Sequence, residues 1–440
     1  MTTVIAGLGT TGLSVVRQLI GEARSFVVAD TRLTPPGLDA LLRLVPQAKP
    51  RLGPFTAQTF ADASCIVLSP GLSPDEPSIA QARARGVEVI GDIELFARRC
   101  PRPVLAITGS NGKSTVTRLV GDLLAAAGVQ AAVGGNLGTP ALTLWQEQPQ
   151  ADLFVLELSS FQLEMTDSLA PLAATVLNVS EDHIDRHGCL EAYAKAKGRV
   201  YSHCTTAVYN RQDAWSRALS SSCDRRIGFG LEAPGEGDYG LIERDGVMWL
   251  ARGAQALLPE TALSLRGRHN VANALAALAL VEATGVAPTR VLDALAQFRG
   301  LPHRSEWVGR LAGVDWINDS KGTNVGATLA ALDGTPGSVV LIAGGEGKGQ
   351  DFSVLRDTVC KKARAVVLIG RDARLMADAL DGTAPLHFAI DMADAVCRAA
   401  KLALPGDTVL LSPACASFDM FSGYAERGEV FAACVKEQGT

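Results

Sequence analysis

Residues 103–117, PVLAITGSNGKSTVT, constrain this chain more than any other stretch. Residues 104–107 read as a buried strand, and after the turn Val116, Leu119, Val120, Leu123 and Leu124 recur at helical spacing. Strand, glycine loop and helix in that order define an α/β unit with a loop of phosphate size. Gly109 and Gly112, with Ser110 and Asn111 between them, let backbone N–H groups converge on a polyanion at the start of a helix, whose partial positive charge adds to the attraction. Lys113 supplies a full charge, and Ser114 or Thr115 a hydroxyl for a magnesium ion. Only two residues separate the glycines, so the common GxxxxGK[ST] form is not matched. The alternative is a Gly-Asn turn capped by Ser114.

The chain has 440 residues, which at roughly 150 residues per domain suggests three domains. Its 47% hydrophobic and 20% charged residues are those of a soluble globular protein. A net charge of −5 gives no basic footprint for nucleic acid. Nine cysteines, odd in number and without a CxxC, argue for reduced thiols in a cytoplasm rather than disulfides or a zinc site. The N-terminus has no basic n-region before its apolar residues, and no apolar run approaches the ~20 residues of a membrane span.

Residues 3–6 form a first strand, followed by GLGTTG and a helix, which is a GxGxxG in strand-to-helix context. A second strand, 26–29, ends at Asp30, where a dinucleotide enzyme places its ribose-binding acid. The same turn also fits another nucleotide diphosphate, because a glycine turn at a helix N-terminus does not check for nicotinamide. Thr31 and Arg32 follow the acid at once, and the unit ends near Asp92. About 90 residues make half of a doubly wound dinucleotide fold, so one nucleotide-sized ligand is expected.

A second alternating unit runs from 93 to 298. Residues 153–156 deliver Glu157 beside the phosphate-loop strand, where a metal or its bound water is held; the alternative is a cap for the next helix. Residues 174–179 read as a strand that empties into SEDHID, where His183 sits among three acids suited to a divalent ion, or merely solvated. By spacing alone Lys195 and Lys197 are surface lysines. Asn270 reads as the N-cap of an alanine-rich helix over 271–282, with Asn273 one turn on. GLPHRSE reads as a linker to a third unit over 299–440, whose strands 314–317, 338–343, 365–369 and 408–411 each feed a polar loop and then a helix. The lysine of GGEGKG, Lys348, is not followed by Ser or Thr and better suits a carboxylate ligand.

Taken together, GLGTTGLS, DTRLTPPGLD, SPGLS, GDIELF, ITGSNGKST, GGNLGTPAL, LELSSFQLE, LNVSEDHIDRH, GRHNVANALAAL, GLPHRSE, WINDSKGTNVGAT, AGGEGKGQDF and LSPACASFDMF resemble the Mur ligases over essentially the whole chain. DTRLTPPGLD, ELSSFQLE and NDSKGTN are similar to the D-glutamate-adding branch. The resemblance implies three α/β domains: a Rossmann-like unit (1–92) for a UDP-sugar, a central P-loop-type ATPase unit (93–298), and a Rossmann-like unit (299–440) that closes on ATP and binds the amino acid. It implies ATP-dependent addition of D-glutamate to UDP-N-acetylmuramoyl-L-alanine in peptidoglycan precursor synthesis, through an acyl phosphate and a tetrahedral intermediate, by a cytoplasmic monomer.

By the same resemblance Thr10, Thr11, Thr31, Arg32 and Gly71 hold the uridine diphosphate and Asn136 the muramoyl end. Gly109, Ser110, Asn111, Gly112, Lys113, Ser114, Thr115, Asn270, Asn273, His303, Arg304, Asp319 and Lys321 hold ATP. Ser114, Glu157, His183 and a carbamylated Lys197 ligate magnesium, in two sites. His183, Thr323, Lys348, Ser417 and Tyr424 receive D-glutamate, with Tyr424 standing where the family pattern has phenylalanine. Lys113, Glu157, His183 and Lys197 carry the catalysis. Two other readings stay open: a nicotinamide-dependent oxidoreductase built on the first glycine turn, and a nucleotide-gated scaffold without catalysis.

Overall fold

The computed structural model describes residues 2–265 and 267–438. Apolar runs of four to seven residues alternate with helices, and a strand buried on both faces needs that cover. The first sheet comprises β1 (Thr2–Ala6), β2 (Phe26–Asp30), β3 (Arg51–Leu52), β4 (Ala63–Leu68) and β5 (Glu88–Gly91). All its pairings are parallel and its order is β3-β2-β1-β4-β5. The expectation of half a doubly wound sheet is corrected here. Five strands stand in the doubly wound order, made short enough for so few residues. Asp30 is not presented to a ribose. Its Oδ2 accepts from the Leu8 amide at 2.7 Å and its two oxygens from the Arg32 guanidinium at 2.9 and 2.8 Å.

The second sheet has nine strands: β6 (Val104–Thr108), β7 (Ala131–Gly135), β8 (Leu153–Glu157), β9 (Ala173–Val176), β10 (Thr206–Asn210), β11 (Arg226–Phe229), β12 (Tyr239–Arg244), β13 (Val247–Arg252) and β14 (Gln255–Pro259). The order is β14-β13-β12-β11-β10-β9-β6-β8-β7, parallel except for the antiparallel β12-β13-β14 extension, which sequence reasoning left out. β6 lies between β8 and β9, so the chain departs to opposite sides of it. Such a switch point opens a crevice beyond the carboxyl ends of these strands. β9 ends at Val176 rather than 179, because Asn178 leaves the ladder to bond the glycine loop.

The helix Arg268–Ala283 packs on the helix Lys113–Ala126, and its buried alanines permit a close approach within the largest apolar core. This helix starts at Gly267, in a positive-φ conformation, so Asn270 is not its cap but lies inside the first turn. The third sheet comprises β15 (Glu306–Leu311), β16 (Val314–Asn318), β17 (Val339–Gly344), β18 (Ala363–Ile369), β19 (Leu386–Phe388) and β20 (Thr408–Leu411), ordered β15-β16-β20-β17-β18-β19. Only the unforeseen β15 is antiparallel. Among the described residues no helix is long and apolar enough to cross a membrane.

Candidate active site

The loop after β6 turns through Gly109 (φ 150°) and Gly112 (φ 83°), and the helix Lys113–Ala126 follows at once. A Cβ at Gly112 would meet Asn273 Oδ1 at 2.6 Å, so this position requires glycine for space as well as for backbone angle. Asn178 frames the loop: its Oδ1 accepts from the Asn111 amide at 2.8 Å and its Nδ2 donates to the Asn111 carbonyl at 3.0 Å. No side chain caps the helix, which sets aside the reading of Ser114 as a cap. The Ser114 hydroxyl instead donates to Glu157 Oε2, while Asn136 Nδ2 donates to Glu157 Oε1 at 2.8 Å. Nor does Glu157 cap the next helix; Ser159 does, accepting from the Gln162 amide.

Lys113 Nζ donates to the carbonyls of Gly109 and Ser110 at 2.8 and 2.9 Å. Lys197 is not a surface lysine. It is 1% exposed, its Nζ donates to the same Gly109 carbonyl at 2.9 Å, and it lies 4.3 Å from the Tyr193 ring centroid; Lys195 remains exposed. Burial, then the neighbouring Lys113 charge, pulls the Lys197 amine well below its ordinary pKa. The acids around His183 do not gather. Glu181 and Asp185 are exposed, and only Asp182 approaches the imidazole, at 3.7 Å. Among the described residues no group of three or more His, Cys, Asp or Glu is placed to hold a metal ion.

Two adjoining clefts open here. One, of about 400 Å³, runs from Asn111, Gly112 and Thr115 past Asn270 and Asn273 to Arg304, Asp319 and Lys321. The other, of about 360 Å³, joins Ser110, Lys113, Ser114, Asn136, Glu157, His183 and Lys197 to Thr323, Lys348, Ser417 and Tyr424. Loops from the second and third sheets thus share both walls. Arg304 Nη2 donates to Ser114 Oγ at 2.6 Å, and Asn324 Nδ2 donates to Asn111 Oδ1 at 3.2 Å and Asp182 Oδ2 at 3.3 Å. Lys321 sits 4.0 Å over the Tyr424 ring, and burial, then Arg304 and Lys113, lowers its pKa to about 8. Asp319 is buried and pushed up to about 6 despite hydrogen bonds from Ser412 and Ser305. The excess of cations suits a cleft for anionic ligands.

Comparison with known proteins matches residues 1–91 to the Mur ligase MurD-like N-terminal domain, 107–281 to the Mur ligase middle domain, and 303–415 to the Mur ligase glutamate ligase domain. The chain belongs to the Mur ligase family. UDP-N-acetylmuramoylalanine--D-glutamate ligase of Nitrosococcus oceani is 52% identical over 438 residues, covering 99% of this chain and 96% of the relative. Its counterpart in Methylobacillus flagellatus is 51% identical with the same coverage. Among solved structures, a pseudomurein peptide ligase type C from Methanothermus fervidus superposes with a TM-score of 0.63 at 17% identity, covering 99% of each chain. UDP-N-acetylmuramate-alanine ligase MurC from Thermotoga maritima does so with a TM-score of 0.61 at 19% identity, covering 100% of each. These last two likenesses establish the three-domain Mur ligase fold.

Most of the residues that the Mur ligase resemblance singles out therefore stand on the two clefts. His303 does not. Its ring turns inward, with Nδ1 3.0 Å from Asn318 Nδ2, and packs edge-on to Tyr424. Thr10 and Thr11, which open the helix Thr10–Gly21 after β1, lie apart with Thr31, Arg32 and Gly71 on the loops after β2 and β4, and all but the half-exposed Thr11 are exposed. Asn178, Asn324 and Arg427 were missed. Arg427 is 1% exposed and clamps two cleft loops, donating to the Ser320 carbonyl at 2.9 Å and the Cys415 carbonyl at 3.1 Å. Its place on a helix of mixed composition gave no signal of burial.

Proposed function

We propose that this Mur ligase joins D-glutamate to UDP-N-acetylmuramoyl-L-alanine at the expense of ATP, releasing ADP and phosphate. The observation that carries the reading is the pair of clefts meeting at Gly112, Arg304 and Lys321, one extending towards Asn273 and the other past Lys113 towards Lys348 and Ser417. ATP in the first presents its γ-phosphate to a carboxylate in the second. Lys113, Arg304 and Lys321 offset the charge of phosphate and carboxylate as they are brought together. The carboxylate oxygen attacks the γ-phosphorus and ADP departs. The amine of D-glutamate, held by Lys348, Ser417, Thr323, His183 and Tyr424, then attacks the acyl carbonyl, and the tetrahedral centre expels phosphate. Closure of the third unit keeps water from the acyl phosphate.

The donor set fits magnesium. Ser114 and Glu157 present a hydroxyl and a buried carboxylate on the wall shared with His183, and Lys197, as a carbamate, would add an anion there. Two bound magnesium ions would supply neutralisation of phosphate charge. The unit boundaries 1–92, 93–298 and 299–440 belong to the same reading, with the first unit holding the UDP moiety through Thr10, Thr11, Thr31, Arg32 and Gly71. So does a monomer in the cytoplasm, where free cysteines stay reduced. The test is an acceptor panel read as phosphate release. Release requires UDP-N-acetylmuramoyl-L-alanine, D-glutamate and magnesium together; preference for L-alanine or a diamino acid would assign the chain to a different Mur ligase reaction.

A further inference from the structure

His187, unlike His183, has no part in the reading above. It ends the short helix Ile184–His187 with its side chain 2% exposed. Its Nδ1 lies 3.0 Å from Glu164 Oε1, and its Nε2 lies 3.0 Å from Ser160 Oγ. An ionised carboxylate only accepts, so Nδ1 carries a proton, and whenever the ring is neutral Nε2 is the acceptor that faces the Ser160 hydroxyl. That leaves the oxygen lone pairs of Ser160 free for a donor, and Ser160 is on the wall of the cleft that holds Lys348 and Ser417.

The histidine is held on every side. Phe161 stacks on it at 5.5 Å with an 18° tilt, and Tyr193 packs at 5.2 Å from the helix Leu190–Gly198. The charged and titratable groups facing this array are Glu164 from one helix, Arg186 from its own, Tyr193, and His183 across the Phe161 ring. Arg186 Nη2 sits 3.1 Å from Glu164 Oε2 and leaves Oε1 to the imidazole. Serine, histidine and glutamate in this order form a hydrogen-bonded line from a ligand cleft to a carboxylate able to stabilise an imidazolium.

We propose that Ser160, His187 and Glu164 form a proton relay that accepts the proton lost by the incoming amine. This rests on the ligase reading. The nitrogen lone pair forms the C–N bond, and an N–H bond of the resulting cationic nitrogen breaks with its electron pair left on nitrogen. The proton passes to Ser160 Oγ as the hydroxyl proton of Ser160 passes to His187 Nε2. Phosphate leaves with the electron pair of the C–O bond, and the imidazolium, held by Glu164, later yields its proton to solvent.

The test compares two acceptors, D-glutamate and hydroxylamine, in the full-length enzyme with ATP, magnesium and UDP-N-acetylmuramoyl-L-alanine. Hydroxylamine is a weaker base that sheds its proton without help. His187→Gln and Ser160→Ala are each expected to lower kcat/KM for D-glutamate roughly a hundredfold at neutral pH, the lower end for general base catalysis. Hydroxamate formation stays within about twofold. Ser160→Ala removes a single oxygen and carries the test should His187→Gln fail to fold. Equal loss with both acceptors, or no loss with D-glutamate, overturns the relay. Failure of the unaltered chain to use D-glutamate would instead count against the ligase reading.

Discussion

Two lysine amines converge on a single backbone oxygen, that of Gly109. Neither has a carboxylate within hydrogen-bond distance in this structure, and burial leads the causes that depress both pKa values. A cationic pair of this kind is costly without an anion, and the neighbouring cleft is where an anion fits. Lys113→Ala is therefore expected to reduce phosphate release by at least about a thousandfold while leaving UDP-sugar affinity unchanged, checked by turnover and calorimetric titration. Asp92 presents the opposite case. It is buried, its Oδ1 has no hydrogen-bond partner, Gln162 donates to its Oδ2 at 3.3 Å, and burial raises its pKa to about 6 from 3.8. Its contribution to stability is fully present below pH 3.8 and is lost as pH rises through 6. The melting temperature of Asp92→Asn relative to the parent should therefore increase between pH 4 and pH 7.5, by an amount equivalent to at most about 3 kcal/mol.

At the scale of elements, the loop between β6 and the helix Lys113–Ala126 was legible because its message is local: apolar run, glycines, lysine, hydroxyls, then helical periodicity. Its glycines make a sharp prediction. Gly112→Ala adds a Cβ at positive φ against Asn273 Oδ1 and should destabilise the fold by about 1–2 kcal/mol, with ATP KM raised more than tenfold, measured by thermal melting and steady-state kinetics. The start of the helix Arg268–Ala283 was not legible. Asn270 has the chemistry of a cap, but the chain already turns at Gly267, and Asn270 is used instead on the cleft wall. Lys197 failed for a similar reason. Helical spacing reports which face a residue occupies, whereas its burial is set by the glycine loop and Tyr193, which come from other parts of the chain.

The whole molecule places loops from the second and third sheets across one another, and Asn324 shows how. It accepts from the Ala327 amide, capping the helix Val325–Gly334, while its Nδ2 reaches Asn111 and Asp182 on the other unit. Asn324→Asp keeps the cap, since aspartate caps as well as asparagine, but sets a carboxylate against Asp182. Turnover should fall about tenfold with a melting temperature within a few degrees of the parent, and small-angle scattering should report a more open molecule. A parent-like scattering profile with full turnover would remove this contact from the closing interface.

Strand-loop-helix alternation and the two glycine turns were determined by the sequence, because each rests on periodicity and backbone preference within a few residues, and the division into three α/β units was readable from chain length and the break at GLPHRSE. Tertiary structure alone decided that Asp30 bonds Leu8 and Arg32, that Lys197 is buried beside Lys113, and that Ser160, His187 and Glu164 fall into line. Those arrangements depend on which loops meet at the carboxyl edges of the sheets. Strand order sets that, and strand order follows from packing the whole chain at once.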